Sequence, residues 1–214
     1  YELASLPGRT LRIQAGRMDN PFFSTPLIFD DDLGFDGFAL QGEYEFGGWF
    51  RPFLNAGAFP VFNTDLNFAS NNPQKFKSYN KYLFALQGGT NVKVGNEFQL
   101  KTAAAYYYWY NIEGKLSTPF VPLSASDAGD TDNSRPSFAQ KGNTYMALRN
   151  IIPDASNDYG AINQWQYFGL ATPFQNLALT GRLDWNRFEP VQISLLGEFI
   201  WNVAWNFSDI NAKA

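Results

Sequence analysis

Apolar and polar residues alternate with a period of two over about seven segments of this chain, and that period dictates extended strands whose two faces meet different surroundings. The stretch from Val191 is the clearest. Val191, Ile193, Leu195, Gly197, Phe199, Trp201, Val203 and Trp205 fall on one side, and Gln192, Ser194, Glu198, Asn202 and Asn206 on the other. Such strands are long and end in aromatic residues, so the apolar face is a candidate for contact with lipid.

The same period predicts a first strand over Leu11–Met18 and a second in which Phe38, Leu40, Gly42, Tyr44 and Phe46 oppose Ala39, Gln41, Glu43 and Glu45. Gly47-Gly48 then reads as a two-residue hairpin turn. A third strand is expected from Trp49 to about Phe59, with a weak alternation and with Pro52 removing one ladder hydrogen bond. Tyr82, Phe84, Leu86 and Gly88 oppose Leu83, Ala85, Gln87 and Gly89 in a fourth. A fifth runs from Glu97 to Tyr110, and a sixth from Phe174 to Asn186 leads through Phe188, Glu189 and Pro190 into the last. Long polar connections near residues 19–34, 61–80 and 112–164 take turns with short ones. The longest carries no clear period, and a structureless stretch of that length is usually functional or mobile.

Composition sets the limits. No run approaches the ~18 apolar residues of a membrane-spanning helix, while 214 residues suffice for a good-sized core, so a soluble all-β protein stays in play. The formal charge of −4, with 16 dispersed Lys and Arg, argues against nucleic acid. The chain has no Cys and no His. That removes disulfides, thiolate sites, imidazole general bases and the commonest transition-metal ligand. No signal peptide is visible at Tyr1, as expected of a mature protein or a piece of one.

In an up-and-down antiparallel sheet the long–short rhythm puts every short turn at one end and every long loop at the other, the asymmetry of an outer-membrane barrel. Strand length agrees, because a tilted membrane strand takes about 9 to 11 residues against a mode of about 5 to 6 in globular proteins. Aromatics near strand ends (Tyr44, Phe46, Trp49; Tyr106 to Tyr110; Trp201, Trp205) suit interface girdles. They would also suit the core of a β-sandwich, but strand length and loop asymmetry favour the membrane.

Gly16-Arg17-Met18-Asp19-Asn20-Pro21-Phe22-Phe23-Ser24-Thr25, followed by Phe29-Asp30-Asp31-Asp32-Leu33 and Phe35-Asp36-Gly37, resembles the bacterial putative porin family of outer-membrane β-barrels. Leu177 to Asp184, with Arg187-Phe188-Glu189-Pro190-Val191 and the strand after it, is similar to that family's later hairpin. The resemblance implies a barrel in the outer membrane of a Gram-negative bacterium, passive diffusion of small solutes and no catalytic residues. Family members, as the resemblance implies, are larger barrels that end in an aromatic residue, whereas this chain ends in Asn211-Ala212-Lys213-Ala214. Bacterial barrels also have an even strand number of at least 8. With about seven strands detected, the chain is therefore expected to be part of a larger barrel, ahead of an eighth strand in the long central stretch or an assembly of several chains.

With the apolar faces on lipid, the opposite faces line a pore. The candidate lining residues are Arg12, Lys101 and Arg182 on the positive side and Glu43, Glu45, Glu97, Asp184 and Glu198 on the negative side. Opposite signs across a pore wall set up a transverse field that favours polar solutes, and the near balance predicts weak ion selectivity with a slight leaning to cations. Arg182 and Asp184, two apart on one strand face, suit structural pairing equally well.

Asp30, Asp31 and Asp32, close to Asp36, raise the question of a hard cation. Adjacent carboxylates on an extended chain diverge, so a cap, a turn or a partner for Arg17 is favoured. Asp127, Asp130 and Asp132 lack the glycine and terminal glutamate of a calcium loop and read as solvated loop charge. Glu43 and Glu45 alone make a weak glycosidase pair, and no phosphate loop, Gly-x-Ser-x-Gly elbow or dinucleotide fingerprint is present.

The expectation is an all-β transmembrane antiparallel up-and-down barrel, without cofactor or metal, admitting small polar solutes or ions. Its partners would be outer-membrane lipid and lipopolysaccharide, with room for a homo-oligomer. The loops at Asp19–Gly34 and Ile112–Gln164 are candidates to fold inward and narrow the pore. The rivals are a soluble all-β carbohydrate-binding module and a barrel serving as scaffold for a partner.

Overall fold

Strands form where the alternation is longest. The computed structural model describes residues 2–6, 8–62, 68–69, 72–124, 127–137, 139–160, 165–188 and 190–213. Its main sheet contains β1 (Glu2–Leu6), β2 (Arg9–Met18), β3 (Phe35–Tyr44) and β4 (Phe50–Phe62). After a short hairpin of β5 (Phe68–Ala69) and β6 (Asn72–Lys75), it continues with β7 (Lys81–Val94) and β8 (Phe98–Tyr110). A separate pair, β9 (Tyr145–Ala147) and β10 (Phe168–Leu170), precedes β11 (Phe174–Phe188) and β12 (Val191–Asn202).

The described residues give an eight-stranded sheet in the order β1-β2-β3-β4-β7-β8-β11-β12, one strand more than the alternation predicts. The added strand is β1, antiparallel to β2 with a register irregularity after Glu2. The fold is all-β and mostly antiparallel, and β1 and β12 are its outer strands, with no pairing between them among the described residues. β7, β8 and β11 are 14, 13 and 15 residues long, enough to cross a bilayer at a tilt.

Two local details differ from the sequence expectation. Phe46 and Phe50 exchange both backbone hydrogen bonds, at 2.8 and 3.3 Å, so Gly47, Gly48 and Trp49 all sit in the turn. Both glycines have positive φ, +58° and +77°, which a side chain would disfavour. At the other end β12 stops at Asn202, and Phe207–Lys213 is a helix, α1. Asn206 caps it, its Oδ1 accepting from the Ser208 N–H at 3.0 Å and from the Ser208 hydroxyl.

The chain divides into two compact units. The first comprises Tyr1–Pro60, Leu83–Tyr108 and Gln175–Val203, which is most of the main sheet together with the β2–β3 connection. Its sheet has an inverted distribution of polarity. One face carries exposed Leu11, Phe38, Leu54, Phe84, Leu86, Leu100, Leu179, Ile193 and Trp201, with Leu195 as much as 71% and Phe199 61% exposed. The opposite face carries Asn55, Gln87, Thr180 and Asp184, all buried, beside small Ala39, Ala85, Ala103, Ala105 and Ala178. The residues 19–34 fold onto that second face and cover part of it, leaving Arg12, Arg182, Gln192 and Ser194 exposed. Phe22 and Phe29 meet Phe35 and Tyr107 edge to face, and Phe22 and Phe35 meet Phe59, at centroid distances of 5.0 to 6.2 Å. Each such pair contributes about 0.5–1.5 kcal/mol beyond its burial.

At the short-turn end of this unit aromatics collect as an interface belt requires. Tyr44, Phe46, Trp49 and Phe50 form one group, and Phe98, Trp185 and Phe188 another.

Gly89 of β7 shows how tightly the polar face is built. A Cβ there would lie 2.4 Å from the Phe53 ring and 2.4 Å from the Thr102 carbonyl oxygen. The second neighbour is backbone and cannot step aside. Gly89→Ala is expected to push β7 from β8 and lower the midpoint of denaturant unfolding, whereas Gly181→Ala, which meets nothing within 4 Å, leaves that midpoint in place.

The second unit comprises Val61–Tyr82, Trp109–Phe174 and Ala204–Ala214. The long connection expected to be without structure is held by polar contacts of its own. Arg149, 4% exposed, donates to Asp132 from Nε at 3.0 Å and Nη2 at 2.6 Å and from Nη1 to the Trp165 carbonyl, with its guanidinium 3.9 Å from the Tyr167 ring. Asp130 accepts from the Thr118 N–H and hydroxyl. Met146, Ala171 and Ile210 make a small core. Parts of the 61–80 and 112–164 connections, including Gln164, and Glu189 of the last turn lie outside the described residues.

Asp127, Asp130 and Asp132 are thus partnered rather than solvated. Asp127 is buried and accepts from the Leu123 and Ser124 N–H groups and the Ser124 hydroxyl. The Leu123 hydrogen bond, helped by those from Ser124 and opposed by burial, holds its carboxyl below the ordinary value of 3.8. A depressed folded pKa contributes stability above the unfolded value and loses it as pH falls through the folded one. Amide exchange around residues 120–124, corrected for intrinsic rate, is expected to rise on acidification below about pH 4, and Asp127→Asn abolishes the step.

Candidate functional site

Cross-strand register assembles a cleft on the polar face of the sheet unit. Antiparallel pairing sets Arg12 opposite Gln41 and Gln41 opposite Asn55, so these three share one row. The next row has Thr10 opposite Glu43 and Glu43 opposite Phe53, and the Phe53 ring extends over Gly89.

The 19–34 segment forms the other wall. Asn20 folds it, its Oδ1 accepting from the Phe22 N–H at 2.9 Å and its Nδ2 donating to the Ser24 hydroxyl at 2.8 Å. Buried Gln87 holds Phe23 as a strand would, accepting from its N–H at 2.8 Å and donating to its carbonyl at 2.7 Å, while Asn55 donates to the same Gln87 oxygen at 3.1 Å. Gln41 donates to the Pro21 carbonyl at 2.9 Å. Further along, Glu198 accepts from the Thr25 N–H at 3.1 Å, from the Thr25 hydroxyl and from the Thr180 hydroxyl at 2.6 Å. Of the three acidic residues downstream, Asp30 makes a turn, its Oδ1 accepting from the Asp32 N–H at 3.0 Å.

Between strands and segment lies a cleft of about 450 Å³ lined by polar Thr10, Asn20, Ser24, Gln41 and Asn55, by Phe23 and Phe53, and by charged Arg12, Glu43 and Lys101. Lys101 is half-buried, its ammonium 4.3 Å from the Phe23 ring centroid and 5.2 Å from that of Phe53. Hydrogen-bonding groups, cations and flat apolar walls together suit a small polar solute.

The candidate lining residues therefore separate into groups. Arg12, Glu43 and Lys101 share the cleft. Arg182 and Asp184 pair on β11 at 2.9 Å, and Asp184 also accepts from Ser194. Glu198 fastens the segment. Glu45 lies beyond the end of β3 in an ion pair with Arg51 at 2.8 Å, and Glu97, in the β7–β8 turn, stands 4.0 Å from Arg187. Sequence reasoning missed the amides of Gln41, Asn55 and Gln87 and the segment's Phe23 and Thr25. The available signal was the recurrence of amide side chains at the non-apolar positions of three strands.

Neither the curated proteins nor the solved structures include a match to this chain. The family described as Putative porin matches residues 1–214. A match along the whole chain, on an all-β, mostly antiparallel fold, shows that this chain belongs to the putative porin family.

Proposed function

We propose that this chain forms the wall of a water-filled outer-membrane pore through which small polar solutes or ions diffuse passively, the residues 19–34 narrowing the passage. Family membership supports a porin-like, non-enzymatic role at a coarse level. The observation that carries the finer reading is the inverted sheet. Water would not leave a face of Leu, Phe and Trp exposed while polar residues are buried opposite, and lipid requires that arrangement. Backbone groups along an unpaired strand edge cost several kcal/mol each in hydrocarbon, so in this reading the outer edges of β1 and β12 are paired and the barrel closes.

The test is single-channel recording of the purified full-length protein in planar bilayers. Discrete ohmic steps that scale with salt concentration support the reading. A detergent-free, water-soluble species that leaves the bilayer silent refutes it.

A further inference from the structure

We propose that the cleft beneath the 19–34 segment is a recognition subsite for small organic carboxylates, with Lys101 and Arg12 as the anion-binding groups. The inference rests on the pore reading and gives it a solute class. Counting charges along the wall predicts a slight cation leaning, but the structure distributes partners unevenly. Of the five candidate carboxylates, Glu45 is paired with Arg51, Glu97 faces Arg187, Asp184 is paired with Arg182, and Glu198 is wrapped by the hydroxyls of Thr25 and Thr180. Glu43 alone lines the cleft.

The cations divide the other way. Arg182 is engaged with Asp184. Lys101 is held by the faces of Phe23 and Phe53, which attract a cation, and among the described residues no oxygen accepts from its three N–H donors. Among the described residues neither Lys101 nor Arg12 forms an ion pair. Among the described side chains that line the cleft, Lys101 and Arg12 stand against one carboxylate, Glu43, which acts on Lys101, a net positive lining beside low-dielectric walls that strengthen the field. A carboxylate takes up those donors, and the hydroxyls of Thr10 and Ser24 stand ready for the polar body of a sugar-sized solute.

The test uses full-length protein in planar bilayers, with a tenfold potassium chloride gradient for selectivity and potassium gluconate or uncharged glucose as added probes. The expected result is a chloride-leaning reversal potential and a gluconate block that glucose does not reproduce. Lys101→Met with Arg12→Gln is expected to move the chloride-to-potassium permeability ratio at least threefold toward potassium and to weaken the gluconate block at least fivefold. Arg9→Gln, outside the cleft with its guanidinium against the Tyr44 ring, moves neither. Open channels that prefer potassium in the wild type, or a block equal for gluconate and glucose, overturn the inference while leaving the pore standing, and neither result needs the variants to fold. A wild type without channels overturns the pore reading and the inference together.

Discussion

If the exposed apolar face meets lipid, Leu195→Arg is expected to lower the stability of the folded protein in lipid bilayers by about 2–4 kcal/mol, the cost of an arginine on the lipid face of a barrel near mid-membrane. Leu195 is 71% exposed, and at such a position in a water-soluble β-sandwich the same change stays within about 0.5 kcal/mol. The two environments thus differ by enough to be told apart in one urea titration of protein folded into vesicles. Phe199→Arg, also on that face, should cost a similar amount. Gln192→Arg, on the opposite face of the same strand, should cost little, so the contrast between neighbours on β12 carries the result.

Phe22→Ala combined with Phe29→Ala is expected to detach the 19–34 segment from the sheet. Both rings are buried against Phe35 and Tyr107, and loss of a buried phenylalanine typically costs about 3–5 kcal/mol. Contacts shared by the two rings make the pair less than additive, yet the polar clasps at Gln87 and Glu198 would still lack their apolar support. In bilayers the expected outcome is a severalfold rise in single-channel conductance with increased open-state noise. Unchanged conductance would mean that the segment does not set the width of the passage. Glu198→Ala, which removes the acceptor for Thr25 and Thr180, should act in the same direction with a smaller effect, because the aromatic contacts remain.

Where period two runs over many residues, the sequence locates strands well. β8, β11 and β12 occupy the expected stretches, since each has at least four apolar residues on one face and register is costly to shift when the faces differ. β4 shows the weak alternation expected around Pro52, and its register comes from its neighbour, Phe38 to Glu43 of β3 pairing with Ala58 to Phe53. β1 was not legible because Glu2–Leu6 is too short for a period to emerge. α1 was hidden by the continued alternation through Val203 and Trp205, although Asn206 with Ser208 and Asp209 is a capping sequence. Gly47-Gly48 announced a turn but not that Trp49 belongs to it, which depends on Phe46 pairing with Phe50.

The charged residues of the candidate site were visible individually, but their states of partnership were not. Whether Glu198 faces open water or clasps Thr25, and whether Lys101 meets a carboxylate or two phenyl rings, depends on where a segment far away in sequence comes to rest. The same holds for Asp132, which reads as loop charge until Arg149, 17 residues on, turns toward it.

The chain contains no Cys, so single cysteines placed in it give an unobstructed accessibility map. The most direct measurement compares Leu195→Cys and Phe199→Cys with Arg12→Cys and Glu43→Cys in full-length protein folded into lipid vesicles, by rate of reaction with a charged, water-soluble maleimide. Fast labelling at positions 12 and 43, with positions 195 and 199 protected until the lipid is replaced by denaturant, is the predicted result. Equal rates at all four positions would contradict it, placing the exposed apolar face in water and removing the basis for a pore wall.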